Sequence, residues 1–316
     1  MEVDLFGNEI VKDVLLRDKF MEPPFSVLDT KGGGWQTRKR QWKKLGIESH
    51  LGREGVVVIN NSFDGDKYGR KSMPEVSIFD PALCELIYNW YCPDGGTILD
   101  PFAGGSVRGI VANYLGYKYT GIDIRQEQID SNREQSLKLL PVDKQPQYYV
   151  GDSNVVLTEL IPMYDLVFSC PPYADLEVYS EMKEDLSTME YNEFIKVYAE
   201  IIKKAVTKLK SGGYACFVVG DIRDKKGFYR DFISHTKQAF INAGAGLYNE
   251  AILLQPLGTA MLRAGKIFES GRKLTKVHEN VLIFKKHEKD GFTVLHRGTD
   301  CNEMTAKWED YYRGRL

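Results

Sequence analysis

The chain has 316 residues, of which 43% are hydrophobic and 27% are charged. This composition predicts one large or two small globular domains with enough apolar side chains for a sizeable core. The net charge of −2 excludes a polycation, so any binding of nucleic acid must depend on local basic patches.

Five cysteines are spread along the chain without a Cys-x-x-Cys pair or a Cys/His cluster. This spacing argues against a structural zinc site, and we expect no bound metal and a reducing compartment. The first residues lack the basic-then-apolar pattern of a secretion signal. No apolar run approaches the roughly 18 residues that span a bilayer. We therefore expect a soluble, cytoplasmic protein of a bacterial or phage-infected cell.

The chain is predicted to divide into three parts. Residues 1–75 carry Pro23-Pro24 and a run of three glycines but few clean periods, which indicates an irregular N-terminal arm. Residues 76–290 form the predicted main domain, and the polar residues 291–316 form a peripheral tail.

From about residue 80, segments with helix and strand patterns alternate. The predicted helices span residues 81–91, 107–114, 126–140, 191–209 and 232–243. We expect Ser211-Gly212-Gly213 to end the fourth of these helices. The predicted strands span residues 97–99, 117–122, 148–150, 166–168 and 215–219, with a closing pair at 251–254 and 281–284. This alternation predicts an α/β fold with a mostly parallel sheet that is covered on both faces.

The first chemical motif follows the strand at 97–99 and reads Asp100-Pro-Phe-Ala-Gly-Gly-Ser106. Ligands of open α/β sheets bind at the carboxyl ends of the strands. The glycines allow the backbone to approach a ligand closely. The turn has no lysine for phosphates, so the motif favours a nucleoside without phosphate.

Two further acids follow the next two predicted strands. Asp123 can accept hydrogen bonds from both hydroxyls of a ribose, and Asp152 is placed to meet an adenine amine. Each acid alone could be an ordinary loop cap. Three acids at three successive strand ends indicate a ligand site.

The second motif, Cys170-Pro171-Pro172-Tyr173, follows the strand at 166–168. The proline rings fix the backbone and pre-set a carbonyl as a hydrogen-bond acceptor. Tyr173 offers a face on which a base can stack. In this order and at this spacing, the two motifs resemble those of the DNA amino-methyltransferases, which use S-adenosylmethionine to methylate adenine N6 or cytosine N4.

The resemblance covers residues from about 70 to 286 and implies a Rossmann-like methyltransferase sheet with an antiparallel closing strand. The implied cofactor-binding residues are Ser77, Phe79, Asp100, Pro101, Phe102, Gly104, Asp123, Asp152 and Ser153. The implied catalytic residues are Cys170, Pro171, Pro172 and Tyr173. Residues 24–29 and 35–40 resemble a phage-borne branch of the family, which implies a role in DNA modification or restriction–modification.

Cys170 departs from the family, which usually has Asp, Asn or Ser before the two prolines. A thiol is a weak acceptor, so one amine hydrogen loses its usual partner unless Ser169 or a thiolate replaces it. Alternatively, Cys170 could attack C6 of a pyrimidine and activate C5 for methylation. It could also be a small packing residue beside a site that depends on the backbone.

Three basic segments, at residues 31–44, 223–230 and 263–276, could hold phosphates, although each alone could be a solvated face. Trp35 and Trp42 interleave the first segment. The candidate DNA-binding residues are Lys31, Arg38, Lys39, Arg40, Lys43, Arg263, Arg272 and Lys273. Such contacts must offset the free energy of taking a base out of the helix.

Two other features are open to interpretation. The acidic loop at residues 174–189 is predicted to be a lid over the base. Asp221 either lines the base pocket or caps a helix.

The sequence therefore predicts a methyltransferase that acts on a base amine of DNA with S-adenosylmethionine. The alternatives are an RNA base methyltransferase, a C5-pyrimidine methyltransferase that uses Cys170, and a non-catalytic DNA-binding relative.

Overall fold

The computed structural model describes residues 16, 19–20, 22–48, 57–58, 79–173, 177–178, 182, 184–258 and 260–288. The strands in these ranges are β1 (Val27–Asp29), β2 (Val57–Val58), β3 (Thr97–Asp100), β4 (Lys118–Asp123), β5 (Gln147–Val150), β6 (Tyr164–Ser169), β7 (Glu177–Val178), β8 (Leu209–Val219), β9 (Ala245–Leu254) and β10 (His278–Lys286). The helices are α1 (Gly33–Lys44), α2 (Pro81–Tyr91), α3 (Val107–Tyr114), α4 (Gln126–Leu139), α5 (Ser153–Glu159), α6 (Tyr191–Lys208), α7 (Phe232–Asn242) and α8 (Ala260–Gly271).

Eight strands form one sheet in the order β1-β9-β10-β8-β6-β3-β4-β5. From β8 to β5 all neighbouring strands are parallel, whereas β10 is antiparallel to both β8 and β9. Strands β2 and β7 form a separate antiparallel pair. The α/β fold class with a mostly parallel, Rossmann-like sheet and an antiparallel closing strand is therefore confirmed.

A hydrophobic layer covers each face of the sheet. On one face, α1 and α2 pack with buried residues such as Leu83 and Tyr88 against Phe168 and Val218. On the other face, α6 and α7 pack through a set of aromatic side chains, and the rings of Phe240 and Phe284 stack 4.0 Å apart. Each fully buried side chain of this size contributes roughly 1.5–3 kcal/mol. Both layers leave the carboxyl ends of the parallel strands open.

The predicted role of Ser211-Gly212-Gly213 as a helix stop is wrong. Helix α6 ends at Lys208, and the three residues lie within β8. The pairing of β6 with β8 shifts register there, between Tyr164 and Leu166. Gly212 has a φ of +71°, which a side chain rarely adopts. The glycines therefore allow the backbone of β8 to form this irregularity.

Residues 22–48 correct the prediction of an irregular arm over residues 1–75. Strand β1 pairs with β9 at the edge of the main sheet, and α1 packs against α2. Trp35 and Trp42, expected to interleave a DNA-binding patch, are buried in the core. They lie with Arg38 on one face of α1, and the arginine interrupts the apolar period that would have indicated a buried helix.

Arg38 is a structural residue, and its predicted role in DNA binding is wrong. Its guanidinium is buried and donates to both carboxylate oxygens of Glu85, at 2.8 and 2.6 Å. Trp42 Nε1 donates to the same carboxylate at 2.8 Å. This ion pair joins α1 to α2 and leaves Arg38 without access to phosphate.

Two further helices were not predicted. Helix α5 has only seven residues, which is short for a periodicity argument. Helix α8 lies in a segment whose basic residues and glycines predict a loop, and it has no buried residue. Both helices follow a strand at the open edge of the sheet.

We predict that Arg38→Ala lowers the free energy of unfolding by about 3–5 kcal/mol, because it leaves the Glu85 carboxylate buried without its cation. The matched control is Arg40→Ala on the same helix, where the side chain is exposed and the change should stay within about 0.5 kcal/mol. Urea unfolding followed by circular dichroism measures both values. Equal effects of the two substitutions would contradict the structural role of Arg38.

Candidate active site

The carboxyl ends of the parallel strands open onto a cavity of about 300 Å³. The turns after β3, β4 and β5 line one part of it, and the corner after β6 lines another. The first turn of α2 and residues of β9 and β10 complete the wall. One cavity therefore joins the two motifs that the sequence singles out.

Asp100 lies beneath this cavity and does not line it. Its carboxylate is fully buried and accepts hydrogen bonds from Arg108 Nε at 2.5 Å, Tyr119 Oη at 2.7 Å and Ser169 Oγ at 2.6 Å. The backbone N–H of Phe102 donates to it at 3.1 Å. The prediction that Asp100 contacts the cofactor is thus corrected: with all these donors around it, the carboxylate holds the turn.

Arg108 connects the buried acid to the turn. Its guanidinium also donates to the carbonyl oxygens of Phe102 and Ala103, at 2.6 and 2.8 Å. Burial lowers the pKa of Arg108, but the Asp100 carboxylate, together with Tyr119 and Cys170, outweighs burial and the net shift is upward. The turn is therefore fixed by the ion pair of Arg108 with Asp100.

Asp123 lies at the end of β4 and lines the cavity. Its carboxylate accepts one hydrogen bond from the N–H of Gly104 and one from the N–H of Arg125, each at 2.9 Å. Burial raises the pKa of Asp123, and these two N–H groups partly oppose the shift. Each oxygen keeps a lone pair for a further donor, so the residue suits the two hydroxyls of a ribose.

Asp152 and Ser153 also line the cavity. The Asp152 carboxylate accepts from the N–H of Asn154 at 2.8 Å and caps α5, as the loop-cap interpretation expects. Ser153 Oγ donates to the carbonyl of Pro101, which joins the β5 and β3 turns. Contact of Asp152 with an adenine amine stays a prediction.

Lys39 lies in the cavity wall, which corrects its predicted role in DNA binding. Its ammonium donates to Asp80 Oδ2 at 2.8 Å, and Trp35 Nε1 donates to the same oxygen at 3.1 Å. Phe79 lines the cavity beside them, with its ring beneath the Arg108 guanidinium at 4.7 Å. Ser77 lies outside the described residues. Asp80 carries no motif of its own, and only the packing of α1 on α2 brings Lys39 to it.

These residues fit S-adenosylmethionine. The cation of Lys39 and the anion of Asp80 at one end suit the charged ends of an amino acid. The Asp123 carboxylate suits a ribose diol, and Pro101, Phe102 and Gly104 supply the turn along which a nucleoside can lie. Among the described residues, no group of His, Cys, Asp and Glu could hold a metal ion.

Cys170, Pro171, Pro172 and Tyr173 follow β6 and line the same cavity. The Tyr173 ring packs edge-on against Phe232, with centroids 6.1 Å apart, and its hydroxyl donates to Glu279 Oε1 at 3.2 Å. Cys170 Sγ lies 4.0 Å from that hydroxyl. The pKa of Cys170 is raised to about 12, mainly by burial and secondly by the charge of Glu279. The sulfur is therefore a neutral thiol near pH 7.

Glu279 and Gln255 are residues of this site that the sequence analysis did not single out. Gln255 Nε2 donates to Glu279 Oε2 at 2.7 Å, and both residues line the cavity. They carry no motif of their own. The antiparallel pairing that sets Glu279 opposite Leu253 brings them to the corner, and only the register of β10 could have indicated this.

Asp221 follows β8 and accepts from the N–H of Phe232, the first residue of α7, at 2.8 Å. This contact agrees with its interpretation as a helix cap. Of the predicted lid, the structure describes residues 177–178, 182 and 184–189, and Glu184, Asp185 and Leu186 line the cavity.

The remaining basic candidates lie on the surface. Lys31, Arg40, Lys43 and Arg272 are exposed, and Arg263 and Lys273 are half-buried. In the segment 223–230, the Arg223 guanidinium stacks on the Tyr229 ring at 3.8 Å. No helix in the described ranges is long and apolar enough to cross a membrane.

A sequence model of the DNA methylase family, which covers N6 and N4 methylation, matches residues 40–134 and 164–312. These segments make up most of the chain and include both motifs and β10. The chain therefore belongs to the DNA methylase family. This confirms the predicted family, and it confirms S-adenosylmethionine as the cofactor.

The fold is also similar to solved methyltransferase structures. TrmN from Thermus thermophilus has 15% identity and a TM-score of 0.46 over 66% of this chain and 49% of its own, so the present chain spans about half of its length. A methyltransferase from Pyrococcus furiosus has 16% identity and a TM-score of 0.43 over 68% and 87% of the two chains. Magnesium protoporphyrin IX methyltransferase (ChlM) from Synechocystis PCC 6803, with bound SAM, has 11% identity and a TM-score of 0.38 over 61% and 71%. No curated protein matches the chain.

We predict that Asp123→Ala weakens the binding of S-adenosylhomocysteine by about 10- to 100-fold, since hydrogen bonds to a charged group contribute about 1.5–3 kcal/mol. Isothermal titration calorimetry measures the affinity. The control is Asp130→Ala, an exposed acid on α4, which should leave the affinity unchanged. Equal affinity of both variants would remove Asp123 from the cofactor site.

Proposed function

We propose that the protein methylates an exocyclic amine of a DNA base, either adenine N6 or cytosine N4, after the base has left the helix. The observation that carries this proposal is the single cavity lined by both the Asp123 turn and the Pro171-Pro172 corner. A cofactor at one end and a flat ring at the other would share that space. Membership of the DNA methylase family supports it.

A base amine is a poor nucleophile because its lone pair is delocalised into the ring. The bound cofactor supplies an electrophilic methyl group on a sulfonium sulfur. The protein must hold the base flat, accept hydrogen bonds from the amine and direct its lone pair at that methyl. The rigid corner supplies a fixed backbone carbonyl. Tyr173 supplies a stacking face that contributes roughly 1–3 kcal/mol per base.

The state of Cys170 favours the amine over pyrimidine C5. Attack on C6 of a pyrimidine requires a thiolate, and active-site cysteines of that kind have a lowered pKa. Burial instead raises the pKa of Cys170 to about 12. The neighbouring Tyr173 hydroxyl cannot serve as a base either, because burial raises its own pKa.

We propose that the basic segments 223–230 and 263–276 form a surface for DNA. The segment 223–230 and the segment after α8 lie together, since Lys273 packs directly against Gly227. Phe228 in the first segment is 71% exposed, and Met261 and Leu262 at the start of α8 are 70% and 85% exposed. Basic residues beside exposed apolar ones suit a nucleic acid whose backbone is held while a base is extruded.

The direct test of the function is mass spectrometry of nucleosides after incubation of the protein with S-adenosylmethionine and either genomic DNA or total RNA. We expect N6-methyladenine or N4-methylcytosine from DNA. Methylated nucleosides from RNA alone would support the RNA alternative. The absence of methylated nucleosides from both substrates, with cofactor binding intact, would support a non-catalytic relative.

We predict that Cys170→Ser keeps at least a tenth of the wild-type rate, because the amine mechanism uses no bond to sulfur. With the thiol pKa at about 12, no thiolate forms between pH 6 and 9, so the rate profiles of both proteins should be parallel there. Tyr173→Ala should reduce the rate more, through lost stacking. An inactive but folded Cys170→Ser protein, with a covalent adduct to 5-fluoropyrimidine DNA in the wild type, would establish the C5 mechanism.

We predict that replacing Arg263, Arg272 and Lys273 with Glu weakens DNA binding. The slope of log binding constant against log salt concentration should become less steep by about 0.9 for each lost phosphate contact. Cofactor affinity should not change. The matched control replaces Lys118, Lys138 and Lys144, exposed cations near the opposite edge of the sheet. Fluorescence anisotropy across a salt series measures the slopes. Identical slopes for both triple variants would mean that Arg263, Arg272 and Lys273 do not contact the phosphates of DNA.

A further inference from the structure

The corner after β6 lacks an oxygen acceptor on the side chain before its two prolines, because Cys170 occupies that position. A sulfur atom accepts hydrogen bonds weakly. A carboxylate nevertheless reaches this corner from β10, on the other side of β8 in the sheet. It belongs to Glu279, which lines the same cavity as Cys170 and Tyr173.

We propose that Glu279 is the oxygen acceptor for the target amine, in place of a side-chain oxygen at position 170. This inference rests on the proposed function and deepens it. It assigns to the sheet's closing strand a catalytic group that the corner itself does not carry.

The contacts place Glu279 at the reacting end of the cavity. Oε1 accepts from the Tyr173 hydroxyl at 3.2 Å, and that hydroxyl lies 4.0 Å from Cys170 Sγ. A base stacked on the Tyr173 ring therefore has a carboxylate at the edge of its stacking platform. The carboxylate thus lies beside the position that would otherwise supply the acceptor.

The carboxylate is held in place but not saturated. Oε2 accepts from Gln255 Nε2 at 2.7 Å, so each oxygen accepts one hydrogen bond from the described residues and keeps a lone pair. The half-buried Lys276 ammonium interacts favourably with the charge of Glu279. Because Glu279 sits on a paired strand, its position is fixed before a base arrives.

The amine lone pair forms the N–C bond with the methyl group, while the S–C bond breaks and its electron pair stays on sulfur. The nitrogen becomes positively charged and releases one proton. That proton moves along the hydrogen bond to the Glu279 carboxylate and from there to solvent.

The test uses the full chain with S-adenosylmethionine and DNA, with both saturating, and measures the rate of formation of the methylated nucleoside. We expect Glu279→Ala to lower the rate by about 10²-fold or more, as for the loss of a proton acceptor. Affinity for S-adenosylhomocysteine should be kept. The matched control is Glu250→Ala, a carboxylate on the adjacent strand that also accepts from an amide side chain but lies outside the cavity wall. Its rate should equal that of the wild type.

Rescue separates an acceptor from a residue that merely holds Tyr173. Cys170→Asp in the Glu279→Ala background restores an oxygen at the corner and should raise the rate at least tenfold. In the wild-type background, Cys170→Asp places two carboxylates close together and should not raise the rate. Tyr173→Phe removes the contact with Glu279 but keeps the ring, so it should lower the rate less than Glu279→Ala.

Full activity of Glu279→Ala would overturn the proposal. A second combination of results would also overturn it: Cys170→Asp does not raise the rate of Glu279→Ala, and Tyr173→Phe lowers the rate as much as Glu279→Ala does. Glu279 would then act only by holding the tyrosine. If Glu279→Ala fails to bind S-adenosylhomocysteine, Glu279→Gln is tested by the same rescue criterion. A wild-type protein that methylates neither base refutes the proposed function itself, a result distinct from any of these.

Discussion

The buried Asp100 carboxylate is the constraint on which the rest of the site depends. Its four donors come from the turn after β3, from α3, from β4 and from the end of β6. One charge thus fixes the relative positions of the glycine turn and of the strand that leads to the Pro171-Pro172 corner. A buried carboxylate is costly unless it is paired and hydrogen-bonded, so any arrangement that separates these elements is unfavourable. The Asp100 carboxylate therefore fixes the position of one end of the cavity relative to the other.

The topology determines which residues can meet above that group. Parallel strands place all their carboxyl ends at one edge, and the antiparallel β10 brings its amino end to the same edge. Acids that follow β4 and β5, the corner after β6 and the first residues of β10 therefore converge, although they lie far apart in the chain. Helix α1, which packs on α2, adds Lys39. The site is a product of strand direction more than of local sequence.

This explains how much of the molecule the sequence could predict. Alternating strands and helices from residue 97 onward, the glycine turn, Asp123 and the Pro-Pro corner carry local signals of period or composition, and the observed elements follow them. Other features depend on tertiary contacts that leave no such signal. The ion pair of Arg38 with Glu85 makes an apparent surface arginine a core residue, the helix α8 buries none of its residues, and Glu279 gains its place from the register of β10. Asp100 was recognised as important, but its role required knowledge of the donors that surround it.

The pairing of β1 with β9 has a consequence for the order in which the chain can fold. Thr30 donates through its hydroxyl to the carbonyl of Leu254 at 2.6 Å, across 224 positions of sequence. Contacts between such distant residues form late because the closure of the intervening chain must come first. During synthesis, β1 emerges well before its partner strand exists, whereas α1 can pack on α2 as soon as residues 81–91 are available. Since Leu253, Gln255 and Glu279 line the cofactor cavity, a nascent chain cannot complete that cavity until translation has passed the start of β10.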